Sequence, residues 1–144
     1  MDVVTSLWNN NLIVVTENPL TDFLRKQNVF AVIGVSSNPA KYGHQVYKDL
    51  KEAGYVVYPV NPNIDEVLCD RCYHSLSELP EKPDVVDVVV PPEVTEKIVV
   101  ECRDLGLKKV WMQPGSESER AISFCVQNDI KVVHDVCVMV KRRE

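Results

Sequence analysis

Five short apolar runs, rich in valine, constrain the fold of this chain more than any other feature of its sequence. Each run is nearly continuous in apolar character and does not alternate with polar residues. Such strands are typical of parallel sheets, because helices cover both faces of these sheets. The sequence therefore predicts five buried parallel strands, at residues 29–34, 55–60, 85–90, 107–112 and 130–134.

Segments with helical spacing separate the predicted strands. Their apolar residues recur at intervals of three and four, as they do on one face of a helix. These faces are formed by Val46, Leu50 and Ala53, by Val94, Ile98, Cys102 and Leu105, and by Ala121, Ile122, Cys125 and Val126. Gly54 and Gly106 suit the ends of the first two helices, and Pro92 suits the first turn of the second. Ser116 and Glu119 have capping-box spacing, so we expect the third helix to begin there.

The alternation of strands and helices predicts the fold class. We expect residues 18–144 to form one α/β domain, Rossmann-like and doubly wound. Its sheet is mainly parallel, with five to six strands and helices on both faces. Residues 72–74 are a candidate for a short edge strand. If that strand counts as the third, the expected strand order is 3-2-1-4-5-6.

Two regions fall outside this alternation. Asn18-Pro19 suits the start of a short helix that ends near Gln27, and residues 75–79 have the capping-box spacing of another brief helix. Residues 1–17 leave three interpretations open: an extra helix, an edge strand, or an arm on a neighbouring subunit.

Composition and charge disfavour several classes of partner. The 144 residues carry a formal net charge of −5, which repels nucleic acid and anionic lipid. No apolar run reaches the roughly 20 residues that span a bilayer. An acid at Asp2 and the lack of a basic segment argue against a secretory signal. We therefore expect a cytoplasmic protein without nucleic-acid or membrane partners. The five cysteines are odd in number, so a disulfide framework is not expected.

The expected strand order also predicts where a ligand binds. The order reverses between the first and fourth strands, and doubly wound folds bind ligands at that switch point, beside the carboxyl ends of the strands. The loops at residues 34–43 and 90–93 follow these two strands. Topology alone therefore predicts that the two loops meet around one ligand.

The first loop has the composition of a phosphate-binding loop. Gly34 permits a tight turn and a close approach of a ligand to the backbone. Free amides at the start of the following helix favour an anion. Ser36, Ser37 and Asn38 add polar donors, and Lys41 adds a positive charge. A phosphate or pyrophosphate suits this loop; the alternative is a polar connection with a helix cap.

Two features narrow the class of nucleotide. The chain lacks the G-x-G-x-x-G spacing of NAD and flavin sites. Asn61 stands after the second strand, where dinucleotide enzymes carry an acid for the ribose hydroxyls. Both features disfavour an NAD(P)-binding sensor domain, which stays as an alternative. The second loop, with Val90, Pro91 and Pro92, suits an apolar wall for an adenine or an acyl arm.

Five segments form an ordered set of motifs: 34–43 (GVSSNPAKYG), 58–62 (YPVNP), 72–76 (CYHSL), 87–92 (DVVVPP) and 110–115 (VWMQPG). Together they resemble the small stand-alone CoA-binding proteins, which are similar to the CoA-binding domain of the succinyl-CoA synthetase α subunit. The resemblance covers residues 24–140. It implies a Rossmann-type fold that binds coenzyme A or an acyl-CoA.

The resemblance also implies the site residues. It gives the CoA phosphates to the first loop, the nucleotide to residues 60–63, the adenine or pantetheine to residues 90–92, and the thiol end to Gln113. The implied CoA-binding residues are Gly34, Val35, Ser36, Ser37, Asn38, Lys41, Tyr42, Gly43, Val60, Asn61, Pro62, Asn63, Val90, Pro91, Pro92 and Gln113. No catalytic or metal-ligating residue is predicted.

The chain departs from the family pattern at two positions. Val35 stands where alanine is usual, and Pro114 follows Gln113. The synthetase reaction also needs a phosphorylated histidine on a second domain and a β subunit, and 144 residues leave no room for that domain. We therefore expect a carrier, sensor or regulatory module without catalytic activity of its own. A second copy or a partner enzyme is its expected macromolecular partner.

The cysteines leave a second class of function open. Cys69 and Cys72 have the C-x-x-C spacing of redox or zinc sites, but no second ligand pair accompanies them. The alternative is a cysteine pair in a loop. Cys137 follows the last predicted strand, where its thiol would face the thiol end of CoA and form a mixed disulfide. The alternative there is a small buried residue. An enzyme of this class would be a small CoA-linked thiol/disulfide redox protein.

Overall fold

The structure, a computed structural model, describes residues 3–8, 11–17 and 19–144. Residues Val3–Trp8 (β1) and Asn11–Glu17 (β2) pair as an antiparallel hairpin, which forms a sheet of its own. The interpretation of residues 1–17 as an arm on a neighbouring subunit stays a prediction.

The remaining elements alternate along the chain. The strands are Val29–Ile33 (β3), Val56–Val60 (β4), Glu66–Val67 (β5), Asp70–Arg71 (β6), Val85–Val88 (β7), Lys109–Met112 (β8) and Lys131–Val133 (β9). The helices are Pro19–Phe23 (α1), Tyr42–Glu52 (α2), Pro92–Leu105 (α3), Glu119–Gln127 (α4) and Val138–Lys141 (α5), with a 3-10 turn at Leu76–Glu78. In the described part of the chain, no helix combines the length and apolar character that a membrane crossing requires.

All five predicted runs lie in one parallel sheet, in the order β4-β3-β7-β8-β9. Each strand is one or two residues shorter than its run. Tyr73 makes a parallel bridge to Val60 on the outer side of β4. Its N–H donates to the Pro59 carbonyl at 2.9 Å, and its carbonyl accepts from the Asn61 N–H at 2.8 Å. The predicted order holds, with the third strand reduced to this bridge.

Helices cover both faces of the sheet, as the apolar runs predicted. On one face, α3 and α4 pack Ile98, Cys102 and Cys125 against the sheet. On the other face, α1, α2 and α5 pack their apolar side chains around Trp111. The α/β, doubly wound, Rossmann-like fold is confirmed.

Two predicted helix boundaries are wrong. The first helix ends at Phe23, four residues before Gln27. The third predicted helix is α4, and its N-cap is Ser118, whose Oγ accepts from the Ala121 N–H at 3.0 Å. Ser116 has another role: its Oγ accepts from the Val90 N–H at 3.0 Å and so joins the loops after β7 and β8.

Two glycines hold the loops at the carboxyl edge of the sheet in close contact. Gly34 has φ of +97°, and a Cβ at this position would lie 2.0 Å from the Val89 carbonyl oxygen. A Cβ at Gly43 would lie 2.1 Å from the Gly34 carbonyl oxygen. Three backbone segments meet here: the loop after β3, the start of α2 and the loop after β7. Their contact leaves no space for a side chain at either glycine.

Gly34→Ala and Gly54→Ala separate this contact from backbone strain. Gly54 has a similar φ of +95°, but a Cβ there would meet no described atom within 4 Å. Both substitutions carry the cost of an alanine at positive φ, about 1–2 kcal/mol. We expect Gly34→Ala to lower the free energy of unfolding by about 1–3 kcal/mol more, because its Cβ overlaps the Val89 carbonyl. Urea unfolding measures both losses, and equal losses would contradict the contact.

Candidate functional site

Loops after three neighbouring strands lie together at the carboxyl edge of the sheet. The Val89 N–H donates to the Ile33 carbonyl at 2.8 Å, and the Gln113 N–H donates to the Val88 carbonyl at 3.1 Å. With the contact between Gly34 and Val89, these bonds place the loops after β3, β7 and β8 side by side. The loops after β3 and β7 are therefore adjacent, as predicted, and a ligand between them stays a prediction.

Polar groups of the first loop determine its shape. The Ser36 Oγ accepts from the Asn38 N–H at 3.0 Å, and the Asn38 Oδ1 accepts from the Ala40 N–H at 3.0 Å. His44 is buried in the first turn of α2, and its Nδ1 lies 2.8 Å from the Ser36 carbonyl oxygen. Because a carbonyl only accepts, this nitrogen is the protonated one. Bonds within the protein therefore determine the path of this loop.

Asn61 holds the first loop from the side of β4. Its Nδ2 donates to the Val35 carbonyl at 2.7 Å, and its Oδ1 accepts from the Asn63 N–H at 2.8 Å. An ionised acid at this position could not donate to Val35, which gives a structural reason for the amide. Val60 is buried and acts through its carbonyl, which accepts from the Gly34 N–H at 3.0 Å.

The start of α2 suits an anion. Lys41 occupies the N-cap position, and no described side chain caps this end of the helix. The amides of the first turn have no partner within the helix and carry the positive end of its dipole. Lys41, Ser37 and Asn38 are exposed beside them. A phosphate at this end would meet backbone donors and a positive charge together.

Gln113 connects the loops beneath this surface. Its side chain is fully buried, and its Nε2 donates to the Asp87 Oδ1 at 2.6 Å. Its Oε1 accepts from the Tyr42 hydroxyl at 3.0 Å and from the Val138 N–H at 3.1 Å. Gln113 therefore lies beneath the surface and contacts the first loop through the Tyr42 hydroxyl.

Asp87 is a buried acid in the central strand β7. Its side chain is fully buried, and its Oδ2 has no hydrogen-bond partner among the described residues. Burial raises the pKa of this carboxyl to about 7, although the Gln113 hydrogen bond opposes the shift. Asp87 was predicted only as part of the motif at residues 87–92, although a lone acid inside a valine run is a signal that could have identified it.

Cys137 lies beside this buried group. Its thiol is half-buried, and the Tyr42 hydroxyl lies 2.9 Å from its Sγ. Burial, followed by the hydrogen bond to Cys137, raises the pKa of Tyr42 above its ordinary value. The phenol therefore keeps its proton at neutral pH and acts as a donor. A first-loop side chain thus contacts the thiol that the sequence placed after the last strand.

The two cysteines of the C-x-x-C pair lie on either side of the short strand β6. Cys69 is exposed in the tight turn between β5 and β6, where Leu68 and Cys69 both have positive φ. Cys72 is buried, and burial raises the pKa of its thiol. Both thiols are free. No group of three or more metal-ligating side chains occurs within the described ranges.

The other predicted site residues lie on the same edge or at its border. Val35 is buried beneath the first loop. Pro62, Asn63 and Pro91 are exposed, and Pro92 is half-buried at the start of α3. Contacts between these residues and CoA stay predictions.

Comparison with known proteins places the chain beside CoA-binding domains. The CoA binding domain family matches residues 28–143. A Bacillus subtilis (strain 168) protein, the uncharacterized YneT, is 31% identical over 121 residues, which are 84% of this chain and 90% of YneT. The solved structure of a conserved hypothetical protein from Pyrococcus furiosus has a TM-score of 0.76 and 43% identity, covering 79% of this chain and 98% of that one.

Larger relatives contain a similar domain. The α subunit of ADP-forming acetate–CoA ligase II from Pyrococcus furiosus is 38% identical over 92 residues. These are 63% of this chain but 20% of the ligase subunit. The chain therefore spans about a fifth of that relative's length.

Asp87→Asn tests the buried acid through the pH dependence of stability. Between the ordinary carboxyl pKa and about 7, the folded state binds a proton that the unfolded state has lost. The free energy of unfolding should therefore fall as pH rises through this window, by up to about 1.4 kcal/mol per pH unit. Asparagine has no charge to bury and can still accept from Gln113. Urea unfolding from pH 5 to 8 should show the wild type losing stability relative to Asp87→Asn, whereas parallel profiles would contradict the shift.

Proposed function

The chain belongs to the CoA-binding domain family, and on that premise we propose that it binds coenzyme A or an acyl-CoA between the loop after β3 and the loop after β7. The observation that carries the proposal is the backbone contact of Gly34 with Val89. This contact supports one cleft with two different walls, an amide-lined wall at the start of α2 and an apolar wall at residues 90–92.

The start of α2 is the proposed phosphate end of the cleft. Its first-turn amides and the exposed Lys41 supply donors and a charge, while Gly43 keeps the helix close to the strand end. Ser36 and Asn38 accept bonds from the loop with their oxygens. The Ser36 hydroxyl proton and the Asn38 Nδ2 hydrogens are donors for the same phosphates.

Asn61 favours CoA over a nicotinamide dinucleotide. Its side chain is an amide and offers no carboxylate to the ribose of a dinucleotide. This amide also bonds to the Val35 carbonyl and the Asn63 N–H. The apolar wall at residues 90–92 suits an adenine or the pantetheine arm. Along this arm Tyr42 is the polar group that links the cleft to the buried Gln113.

The biological role that we propose is that of a CoA carrier, sensor or regulatory module. The ligase relatives are named for joining acetate to CoA, but this chain matches a fifth of the Pyrococcus subunit. We therefore propose the binding step and not the ligation. A cytoplasmic location, with a second copy or a partner enzyme as macromolecular partner, accompanies this role.

A thermal-shift comparison of ligands tests the proposal. A ligand that binds only the folded state raises the apparent melting temperature. Coenzyme A and acetyl-CoA should raise the melting temperature, while NAD, NADP and ATP at equal concentration should not. A shift with NAD and none with CoA would replace this proposal with the NAD(P)-sensing alternative.

Lys41→Ala tests the phosphate end of the cleft. A charge-assisted hydrogen bond contributes about 1.5–3 kcal/mol, so CoA affinity should fall at least about tenfold. Lys48→Ala is the matched control, because Lys48 is exposed on the same helix about two turns away. Its affinity should stay near that of the wild type. Equal affinities of both variants in calorimetry would remove Lys41 from the site.

A further inference from the structure

Cys137 belongs to a hydrogen-bond network of four side chains that begins in the central strand β7. Asp87 contacts Gln113, Gln113 contacts Tyr42, and Tyr42 contacts the Cys137 Sγ. The residues come from β7, the loop after β8, the start of α2 and the loop before α5. The thiol therefore lies beside the proposed CoA cleft, in contact with a residue of its first loop.

The segment that carries Cys137 is fixed on both sides of the thiol. The Trp111 Nε1 donates to the Val136 carbonyl at 2.9 Å, and the Val138 N–H donates to the Gln113 Oε1 at 3.1 Å. Beyond α5, the Arg142 guanidinium binds the buried Asp49 of α2 at 2.5 and 2.6 Å. These contacts hold the thiol in one place relative to α2.

Asp87 is the independent observation that points to a function for this cluster. Its Oδ2 is buried without a partner among the described residues, which costs stability. Asp87 is close enough to Tyr42 to contribute to the raised pKa of the phenol. An apolar side chain at position 87 would pack in this valine-rich strand without an unsatisfied oxygen. Unsatisfied buried polar groups are typical of sites where a chemical role offsets their cost.

We propose that Cys137 is a thiol-exchange site that takes the disulfide of coenzyme A and holds one CoA as a mixed disulfide. This inference rests on the proposed CoA binding and goes beyond it. Tyr42 begins α2, so Cys137 lies within one side chain of the phosphate end of the cleft. The pantetheine arm must therefore fold back over the first loop for its sulfur to reach Cys137.

The exchange balances without a further oxidant. The Cys137 sulfur loses its proton and attacks one sulfur of CoA disulfide. A bond forms between Cys137 and that sulfur, and the original sulfur–sulfur bond breaks. The second CoA leaves as a thiolate and takes up one proton. One disulfide replaces another, so the number of disulfides is unchanged.

Tyr42 is the group that assists the reacting sulfur. A phenol has one proton, so the hydroxyl donates at any moment to Gln113 or to Cys137. When Cys137 is a thiol, it can donate to the phenol oxygen while the phenol donates to Gln113. When Cys137 is a thiolate, the phenol can turn its proton to the sulfur and stabilise the charge.

Mass spectrometry of the full chain after incubation with CoA disulfide tests the proposal. We expect a mass gain of one CoA less two hydrogens, located at Cys137 and removed by dithiothreitol. Cys137→Ser should lose this adduct, since its hydroxyl can hydrogen-bond to Tyr42 but cannot form a disulfide. Cys69→Ser is the matched control and should keep it, because Cys69 is exposed in the β5–β6 turn, whereas the Tyr42 hydroxyl contacts Gln113 and Cys137.

A second disulfide tests whether the cleft directs the reaction. Pantethine carries the same arm without the nucleotide phosphates, so it should label Cys137 at least about tenfold more slowly than CoA disulfide. Equal rates would overturn the assignment of the site to CoA.

Calorimetry with reduced CoA separates the two proposals. Binding by wild type and Cys137→Ser together with the adduct in the wild type supports both. Binding without any adduct at Cys137 overturns the exchange site and leaves CoA binding intact. No binding overturns the proposed function and the inference that rests on it.

Tyr42→Phe tests the role of the phenol. Phenylalanine keeps the ring but removes the hydroxyl. Alkylation of Cys137 by iodoacetamide at neutral pH should become about tenfold slower, while alkylation of Cys69 in the same sample should be unchanged. Unchanged rates at both cysteines would overturn the assistance by Tyr42.

Discussion

The contact of Gly34 with the Val89 carbonyl determines how the carboxyl edge of the sheet is built. Parallel strands β3 and β7 are neighbours, but the helices after them cover opposite faces, so their loops must separate. A glycine after β3 lets the two backbones stay in contact before they diverge. Gly43 contacts the Gly34 carbonyl in the same way, so the start of α2 lies against this turn. The lack of a side chain at these two glycines therefore determines where the first-turn amides of α2 lie.

The first loop illustrates how polar residues can shape a site before they bind anything. Ser36 and Asn38 direct their side-chain oxygens at loop amides, and His44 holds the Ser36 carbonyl from inside the helix. These bonds reduce the ordering that a ligand would otherwise have to impose. The donors left for an anion are the backbone amides of α2, the remaining hydrogens of these side chains and Lys41. A rigid loop of this kind suits a ligand that the whole protein's negative charge would repel at long range.

The sequence was sufficient to predict the sheet, its order and the two loops that meet. Buried runs and helical spacing carry this information locally. The strand ends and the cap of α4 were less predictable, because Ser116 and Ser118 both fit a helix start. The choice between them depends on the Val90 N–H, which binds Ser116 from a different loop. The hydrogen-bond network of four side chains from Asp87 to Cys137 was not predicted, because it also depends on contacts between distant segments. Its contacts join residues up to 95 positions apart, and neither periodicity nor spacing describes such contacts.

Asp87 and Gln113 have to be understood as one unit. With valine at position 87, the Gln113 amide would lose its acceptor and become the buried unsatisfied group. With an apolar residue at position 113, the Asp87 carboxyl, the Tyr42 hydroxyl and the Val138 N–H would each lose a partner. A wholly apolar interior at both positions would avoid these costs, but it would no longer orient Tyr42 or hold the start of α5. The buried pair therefore lowers the stability of the sheet but fixes the position of the Cys137 thiol relative to the start of α2. A fixed position of this kind is useful if one ligand contacts both the start of α2 and Cys137.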